Sequence, residues 1–231
     1  MSGARLTLAL DTSTVAAVGL ARGGELLASQ RFEDTRAHVE QLLPLVRSVL
    51  DGAGLSLADV ERLVVGTGPG PFTGLRVGIA TAEVLALTLG VPLTGVTSLD
   101  VLARQVARSG AAPEEFLVVS DARRREVYWS RHDATGLRLE GPEVGAPDSL
   151  PALPVAGPGT DVDPGLAARG TGLAGALDAG VMALEVDLLP DTGLEPRYLR
   201  RPDATVPGRP KSTLVGPPPR LRPRPRREGP R

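Results

Sequence analysis

Three short stretches hold the residue types that could do chemistry. The longest is Gly66-Thr67-Gly68-Pro69-Gly70-Pro71-Phe72-Thr73-Gly74-Leu75-Arg76-Val77-Gly78. Glycines let a backbone take positive φ and let another group come close. The N–H groups and positive dipole end of a helix beginning there would favour an anion. The prolines act against this, because each removes a donor and stiffens the loop. No Lys-Ser/Thr pair follows the glycines, and the spacing is not that of a dinucleotide fingerprint. The run therefore fits a tight structural turn as well as it fits a phosphate cradle, whose anion loop would be Gly68, Gly70, Thr73, Gly74 and Arg76.

The second stretch, Asp11-Thr12-Ser13-Thr14, sets an acid beside three hydroxyls. Such a set suits a phosphate or its magnesium shell, and equally an ordinary polar turn. The third, Asp121-Ala122-Arg123-Arg124-Arg125, sets another acid before three arginines. Guanidinium groups could neutralise phosphate, yet their bulk obstructs the close backbone approach that glycines allow. The other reading leaves them in solvent or paired with acids. His38 and His132 are the two histidines, far apart in the chain, and there is no cysteine. That set does not fill a metal's coordination shell, so no metal is expected. No nucleophile elbow and no Ser-His-Asp set emerges either. His38, at the start of a helical stretch, reads as a capping or packing residue.

Positioning these residues falls to a repeated pattern of elements. Leu6 to Leu10 reads as a buried strand, and Val15 to Ala21 and Glu25 to Phe32 as strands on either side of a Gly23-Gly24 hairpin. From His38 the period becomes helical, with Val39, Leu42, Leu43, Val46, Val49 and Leu50 recurring until Gly52-Ala53-Gly54. Pro44 falls inside this helix, where it should bend the backbone. Glu61 to Thr67 supplies the strand before the glycine run, and Leu75 to Leu89 the helix after it. That helix has almost no polar face and must be covered on more than one side, by the chain's own layers or by another chain. Val91 to Val96 is a short strand, Ser98 caps a helix through Ala107, and Gly110 to Pro113 marks a hinge. Phe116 to Ser120 and Glu126 to Arg131 are strands flanking the third stretch. Residues 141–170 are Gly/Pro-rich and poorly periodic, Gly172 to Leu184 reads as helical, and Leu188 to Arg200 as an extended exit. Two halves that each open with strand, acidic turn and strand suggest duplicated βββαβα units with a cleft between them. The lobes would span residues 1–109 and 110–201, and residues 202–231 would form a tail.

With 231 residues there is length for a sizeable core, which at 3% aromatic content must be built from Leu, Val and Ala. The net charge of -1 hides an asymmetry: residues 202–231 carry eight Lys/Arg against Asp203 and Glu228, a net of +6, leaving -7 on residues 1–201. A Pro/Arg-rich segment without apolar periodicity is expected to be disordered. It is either a dispensable extension or a phosphate-attracting arm for RNA, although no aromatic residue interleaves its arginines for stacking. No apolar stretch approaches the ~20 residues needed to span a bilayer, and Met1 to Arg5 has no signal-peptide core. Together with the lack of cysteine, this reads as a cytoplasmic protein.

In order along the chain stand Asp11-Thr12-Ser13, Leu42-Leu43-Pro44 in the His38 helix, and Gly68 through Gly78. Then come Asp121-Ala122-Arg123-Arg124 with Glu126-Val127-Tyr128, and Pro196-Arg197-Tyr198-Leu199-Arg200. This series, over about residues 5–203, closely resembles the bacterial TsaB (YeaZ) family. That family is the non-catalytic relative of the threonylcarbamoyl-transferring subunit TsaD, formerly grouped with the M22 glycoproteases. Two departures stand out: Pro71 where Ser is usual, and a shortened second lobe around residues 160–185. The resemblance implies an α/β, actin/Hsp70-like two-lobed fold. It implies that Asp11, Thr12 and Ser13 form the first phosphate turn and Asp121 begins the second, with no tightly bound cofactor and at most weak ATP or ADP completed by a partner. It implies that the His38–Ala53 and Leu75–Leu89 helices pack against a matching pair of TsaD, with Val39, Leu42, Leu43, Val46, Ala80, Val84 and Leu87 at the seam, or form a homodimer alone. The implied role is to support TsaD, together with the ATPase TsaE, in making N6-threonylcarbamoyladenosine at position 37 of tRNAs reading ANN codons, with tRNA contacted indirectly. The alternatives are a stand-alone ATPase or kinase of this fold and a glycopeptidase. The catalytic relative's His-x-x-x-His metal pair has no counterpart in this chain.

Overall fold

The computed structural model describes residues 5–33 and 38–200, and the side chains of His38 and Val39 lie outside the description, as does the tail. β1 (Leu6–Asp11), β2 (Ala16–Arg22) and β3 (Glu25–Phe32) form an antiparallel meander. Its hairpin turns through Gly23 and Gly24 at φ 55° and 91°, values that side chains disfavour. After α1 (His38–Gly52), β4 (Arg62–Gly66) pairs parallel with β1, and after α2 (Phe72–Leu89), β5 (Leu93–Val96) pairs parallel with β4. The order is β3-β2-β1-β4-β5, and α3 (Ser98–Arg108) leads out of this sheet. β1 is buried along its whole length, as befits a central strand covered on both faces.

The second sheet repeats the plan. β6 (Glu115–Asp121), β7 (Val127–Asp133) and β8 (Arg138–Gly145) are antiparallel, and β9 (Val155–Ala156) joins β6 in parallel, giving the order β8-β7-β6-β9. Between β8 and β9 only a short 3-10 turn stands where the first sheet has α1. β8 runs from Arg138 into the stretch whose sequence lacks period. α4 (Pro164–Ala167) is a single turn. The helix expected over Gly172–Leu184 begins only at Ala179, as α5 (Ala179–Leu184), because Gly172 and Ala174 take positive φ and interrupt the backbone.

α5 packs against β1, β2 and β3 of the first sheet. A Cβ at Gly19 on β2 would overlap the Ala179 carbonyl, so the two backbones lie in direct contact. The Glu185 carboxylate, almost fully buried, accepts from Arg104 Nε (2.6 Å) and Arg108 Nη1 (2.7 Å) and ties α5 to α3. Further on, Thr192 N–H donates to the Gly95 carbonyl (2.8 Å) and Arg197 N–H to the Thr67 carbonyl (2.9 Å). The exit segment thus runs back along the first sheet.

α1 is helical through Pro44 and turns Leu42, Val46, Val49 and Leu50 into the core. α2 buries Gly74, Leu75, Gly78, Ile79, Ala82 and Ala86. Contrary to the sequence reading, this helix has the length and composition of a membrane span: 18 residues with mean hydropathy 1.4. One side of it is nonetheless committed to the sheet.

Candidate functional site

The first acidic turn, at the end of β1, is closed from within. Asp11 is fully buried; its Oδ1 accepts from Ser13 N–H (2.7 Å) and Ser13 Oγ (2.6 Å), and its Oδ2 accepts from Ser98 Oγ (2.6 Å). Burial pushes the carboxyl above its usual range, opposed by these three bonds. Ser98 is the residue that the sequence reading misassigned. Thr97 occupies the N-cap position, and the Ser98 hydroxyl reaches Asp11 and accepts from Gly68 N–H (3.2 Å). A serine just inside a helix start gives no sign of a partner 87 residues earlier. Thr12 Oγ1 donates to the Gly74 carbonyl (2.8 Å) at the start of α2.

The glycines of the long run serve this same turn. A Cβ at Gly66 would overlap Asp11 Oδ2, one at Gly70 the Ser13 carbonyl, and one at Gly78 Thr12 Oγ1. Of the other loop candidates, Thr73 is exposed, and Arg76 faces away to Phe72 and Tyr198. Pro71 takes the N-cap of α2 with no side-chain bond to offer. A triphosphate at the first turn would need donors that Thr12 and Ser13 have already spent and room that the glycine loop fills. These residues do not fit it.

The second acidic turn, between β6 and β7, is built differently. Asp121 Oδ1 accepts from Arg123 N–H (2.6 Å), and its Oδ2 pairs with Arg123 Nη1 (3.1 Å). Arg123, Arg124 and Arg125 all take left-handed backbone, at φ 66°, 54° and 63°. From the exit segment, Arg200 donates to the Ala122 and Arg123 carbonyls and pairs with Glu126 (2.9 Å).

His132 lies in the core of the second sheet, fully buried, with Nε2 2.8 Å from Ser130 Oγ and Nδ1 3.2 Å from the Gly136 carbonyl. Burial lowers its pKa to about 4, so the ring is neutral. Ser130 is equally buried. This Ser–His contact has no surface at which to meet a substrate.

The docking candidates divide between two faces. Leu42 and Val46 are at most 2% exposed and belong to the core beneath the sheet, because the inward stripe of α1 runs through positions 42, 46, 49 and 50. They are corrected from seam to core. Leu43 on α1, and Ala80, Val84 and Leu87 on α2, remain at the surface, with Val84 62% and Leu87 85% exposed, and Phe72, which was not among those candidates, is exposed on α2 as well. Val39's side chain lies outside the described residues.

A duplicated unit of antiparallel meander plus parallel strand, used twice, places the chain in the two-lobed α/β class of actin and Hsp70. Comparison with known proteins narrows the class. The family model described as TsaD, tRNA N6-adenosine threonylcarbamoyltransferase, matches residues 25–164. An uncharacterized protein of Mycobacterium tuberculosis is 41% identical over 214 residues, covering 85% of this chain and 92% of that protein. The tRNA threonylcarbamoyladenosine biosynthesis protein TsaB of Escherichia coli is 41% identical over 127 residues, 54% of each chain. YeaZ from Pseudomonas aeruginosa superposes with a TM-score of 0.65 at 29% identity, covering 84% of this chain and 100% of the other. The chain belongs to the TsaB (YeaZ) family.

Proposed function

We propose that this chain is a non-catalytic dimerisation subunit in tRNA threonylcarbamoyladenosine biosynthesis. It pairs in the cytoplasm with a TsaD-like subunit that, supported by a TsaE-like ATPase, transfers the threonylcarbamoyl group to N6 of adenosine 37 in tRNAs reading ANN codons. The family supports the pathway. The observation that carries the scaffold role is the outward apolar face of α1 and α2, where Leu43, Phe72, Val84 and Leu87 are all at least 45% exposed. A cluster of large apolar side chains in water marks a partner site. The small Ala80 between them lets a facing helix come close. The spent hydroxyls of the first turn and the buried Ser130–His132 contact argue against chemistry within the chain itself. Any weak ATP or ADP binding then falls to the partner's surface rather than to the closed first turn.

Val84→Glu puts a charge into this face without touching the core. On mixing with the TsaD-like subunit of the same organism, size-exclusion chromatography is expected to show the pair with wild type and separate chains with the variant, at an unchanged thermal melt. Persistence of the pair with Val84→Glu overturns the assignment.

A further inference from the structure

The start of α3 holds side chains that its own helix leaves unused. Thr97 is the N-cap and Asp100 the third helical residue, the spacing of a capping box. Neither makes the capping bond: Thr97 Oγ1 and both Asp100 carboxylate oxygens are buried without a hydrogen-bond partner in the chain. Thr97 is fully buried and Asp100 2% exposed. Two guanidinium groups face Asp100. Arg138 Nε, at the start of β8, lies 3.4 Å from Oδ1 in an ion pair that makes no hydrogen bond. Arg197, on the exit segment, acts on Asp100 through its charge, and its buried Nε has no partner either. Its main chain is fixed beside Thr97, because Arg197 N–H donates to the Thr67 carbonyl (2.9 Å) and Thr67 N–H to the Val96 carbonyl (2.8 Å). Burial, with the Arg138 charge, pulls Arg197 below its usual pKa.

Buried polar atoms in a native fold nearly always have partners, so four without one in a single place call for an occupant. Two guanidiniums against one carboxylate leave a charge of +1 here, at the positive end of an 11-residue helix. That selects an anion. The donor set narrows it further. Arg197 Nε and the Thr97 hydroxyl can donate, whereas Asp100, ionised above about pH 6, can only accept. An anion that meets all three must bring a proton of its own. We propose that Thr97, Asp100 and Arg197 bind a small oxyanion carrying a proton, of the hydrogenphosphate type. Its oxygens accept from Arg197 Nε and Thr97 Oγ1, and its O–H donates to Asp100. Arg138 stays the counter-ion of Asp100 and contributes no ligand. Both arginines are partly exposed, which gives the anion a route from solvent. Once bound, it ties β8 and the exit segment to the start of α3. No residue of either acidic turn or of the docking face takes part, so the site does not rest on the proposed pairing.

The test is isothermal titration of the full chain at about pH 7.5 with inorganic phosphate and, at matched ionic strength, with sulfate. Phosphate keeps a proton at this pH, and sulfate, of the same shape, keeps none. Wild type is expected to bind one phosphate, and sulfate at least about a hundredfold more weakly, because sulfate sets an oxygen against Asp100 with no proton between them. Arg197→Gln, which removes the charged donor, should weaken phosphate binding at least about tenfold. Asp100→Asn should abolish the preference and bring sulfate within about threefold of phosphate, since an amide can donate to either anion. Urea midpoints of wild type should rise with phosphate and not with sulfate, as binding to the folded state alone requires. Circular dichroism melts confirm that both variants fold. The proposal is overturned if wild type takes up no phosphate, which would leave the cluster to water, or binds both anions alike. It is equally overturned if Arg197→Gln binds phosphate unchanged or Asp100→Asn keeps the preference. Because no partner subunit is present, failure here leaves the Val84→Glu pairing result untouched.

Discussion

Asp100 is the acid that the fold treats least kindly. It sits in the first turn of α3, 2% exposed, with neither carboxylate oxygen hydrogen-bonded and Arg138 Nε at 3.4 Å. Burial raises its pKa to about 6, against the pull of the Arg138 and Arg197 guanidiniums. In the folded protein it keeps a proton that the unfolded chain gives up near pH 3.8. The stability it contributes is therefore complete below that pH and lost as pH rises through about 6, a change of about 3 kcal/mol. Asp100→Asn abolishes this titration. Urea unfolding from pH 4 to 7 should show the variant gaining on wild type throughout that window and holding the gain above it. Parallel profiles would contradict the burial argument. The sequence offered no hint of this residue, since nothing local reveals that a helix-start aspartate will be covered by β8 and the exit segment. By contrast, Asp11, Thr12 and Ser13 were legible as a polar turn, because an acid followed by hydroxyls at a strand end bonds to its own backbone wherever it occurs. Whether those hydroxyls face a ligand or the protein depended on Ser98 and Gly74, which lie 87 and 62 residues away.

At the scale of elements, α2 shows how one helix satisfies two demands. Its glycines and small residues face the Asp11 turn and the sheet, and its outer side keeps Phe72, Val84 and Leu87 in water. The strands and helices of the first sheet were readable from periodicity, and the absence of a polar face on α2 corresponds to one side buried on the sheet and an apolar side left outward. What periodicity left undecided was which face of α1 turns inward, because positions 39, 42, 43 and 46 all fit one broad stripe. The contact between Gly78 and Thr12 is the seat of the docking of α2. Gly78→Ala must displace the Thr12 side chain or the helix, at about 1–3 kcal/mol. Thr12→Gly removes the obstructing atoms, at a loss of its own bond to Gly74. The double variant Thr12→Gly, Gly78→Ala should therefore be more stable than the sum of the two single losses by about 1 kcal/mol, measured by denaturant titration. Strict additivity would show that α2 does not rest on this turn.

The two sheets would be separate bodies if each covered itself, and they do not. The second sheet has short 3-10 turns and one-turn helices where the first has α1 and α2, and one core cluster runs from Ala9 and Val64 through Leu99 and Leu102 to Phe116, Val118 and Met182. α5 closes this core by returning to β1, β2 and β3, with Glu185 pinning it to Arg104 and Arg108. A return of this kind escapes a local reading, because only six residues of helix mark it and its partners are strands laid down more than 150 residues earlier. Shared burial predicts that the two sheets unfold as one cooperative unit. The chain carries its own reporters. Trp129, the one tryptophan, sits on β7 and senses the second sheet, whereas the far-UV signal comes largely from α1, α2 and α3 beside the first. Both signals should report one transition in urea. Glu185→Ala, which leaves two arginines facing a buried gap, should lower both midpoints together, by about 2–4 kcal/mol of stability. Two lobes that fold independently would instead show the far-UV midpoint falling while the tryptophan midpoint stays in place.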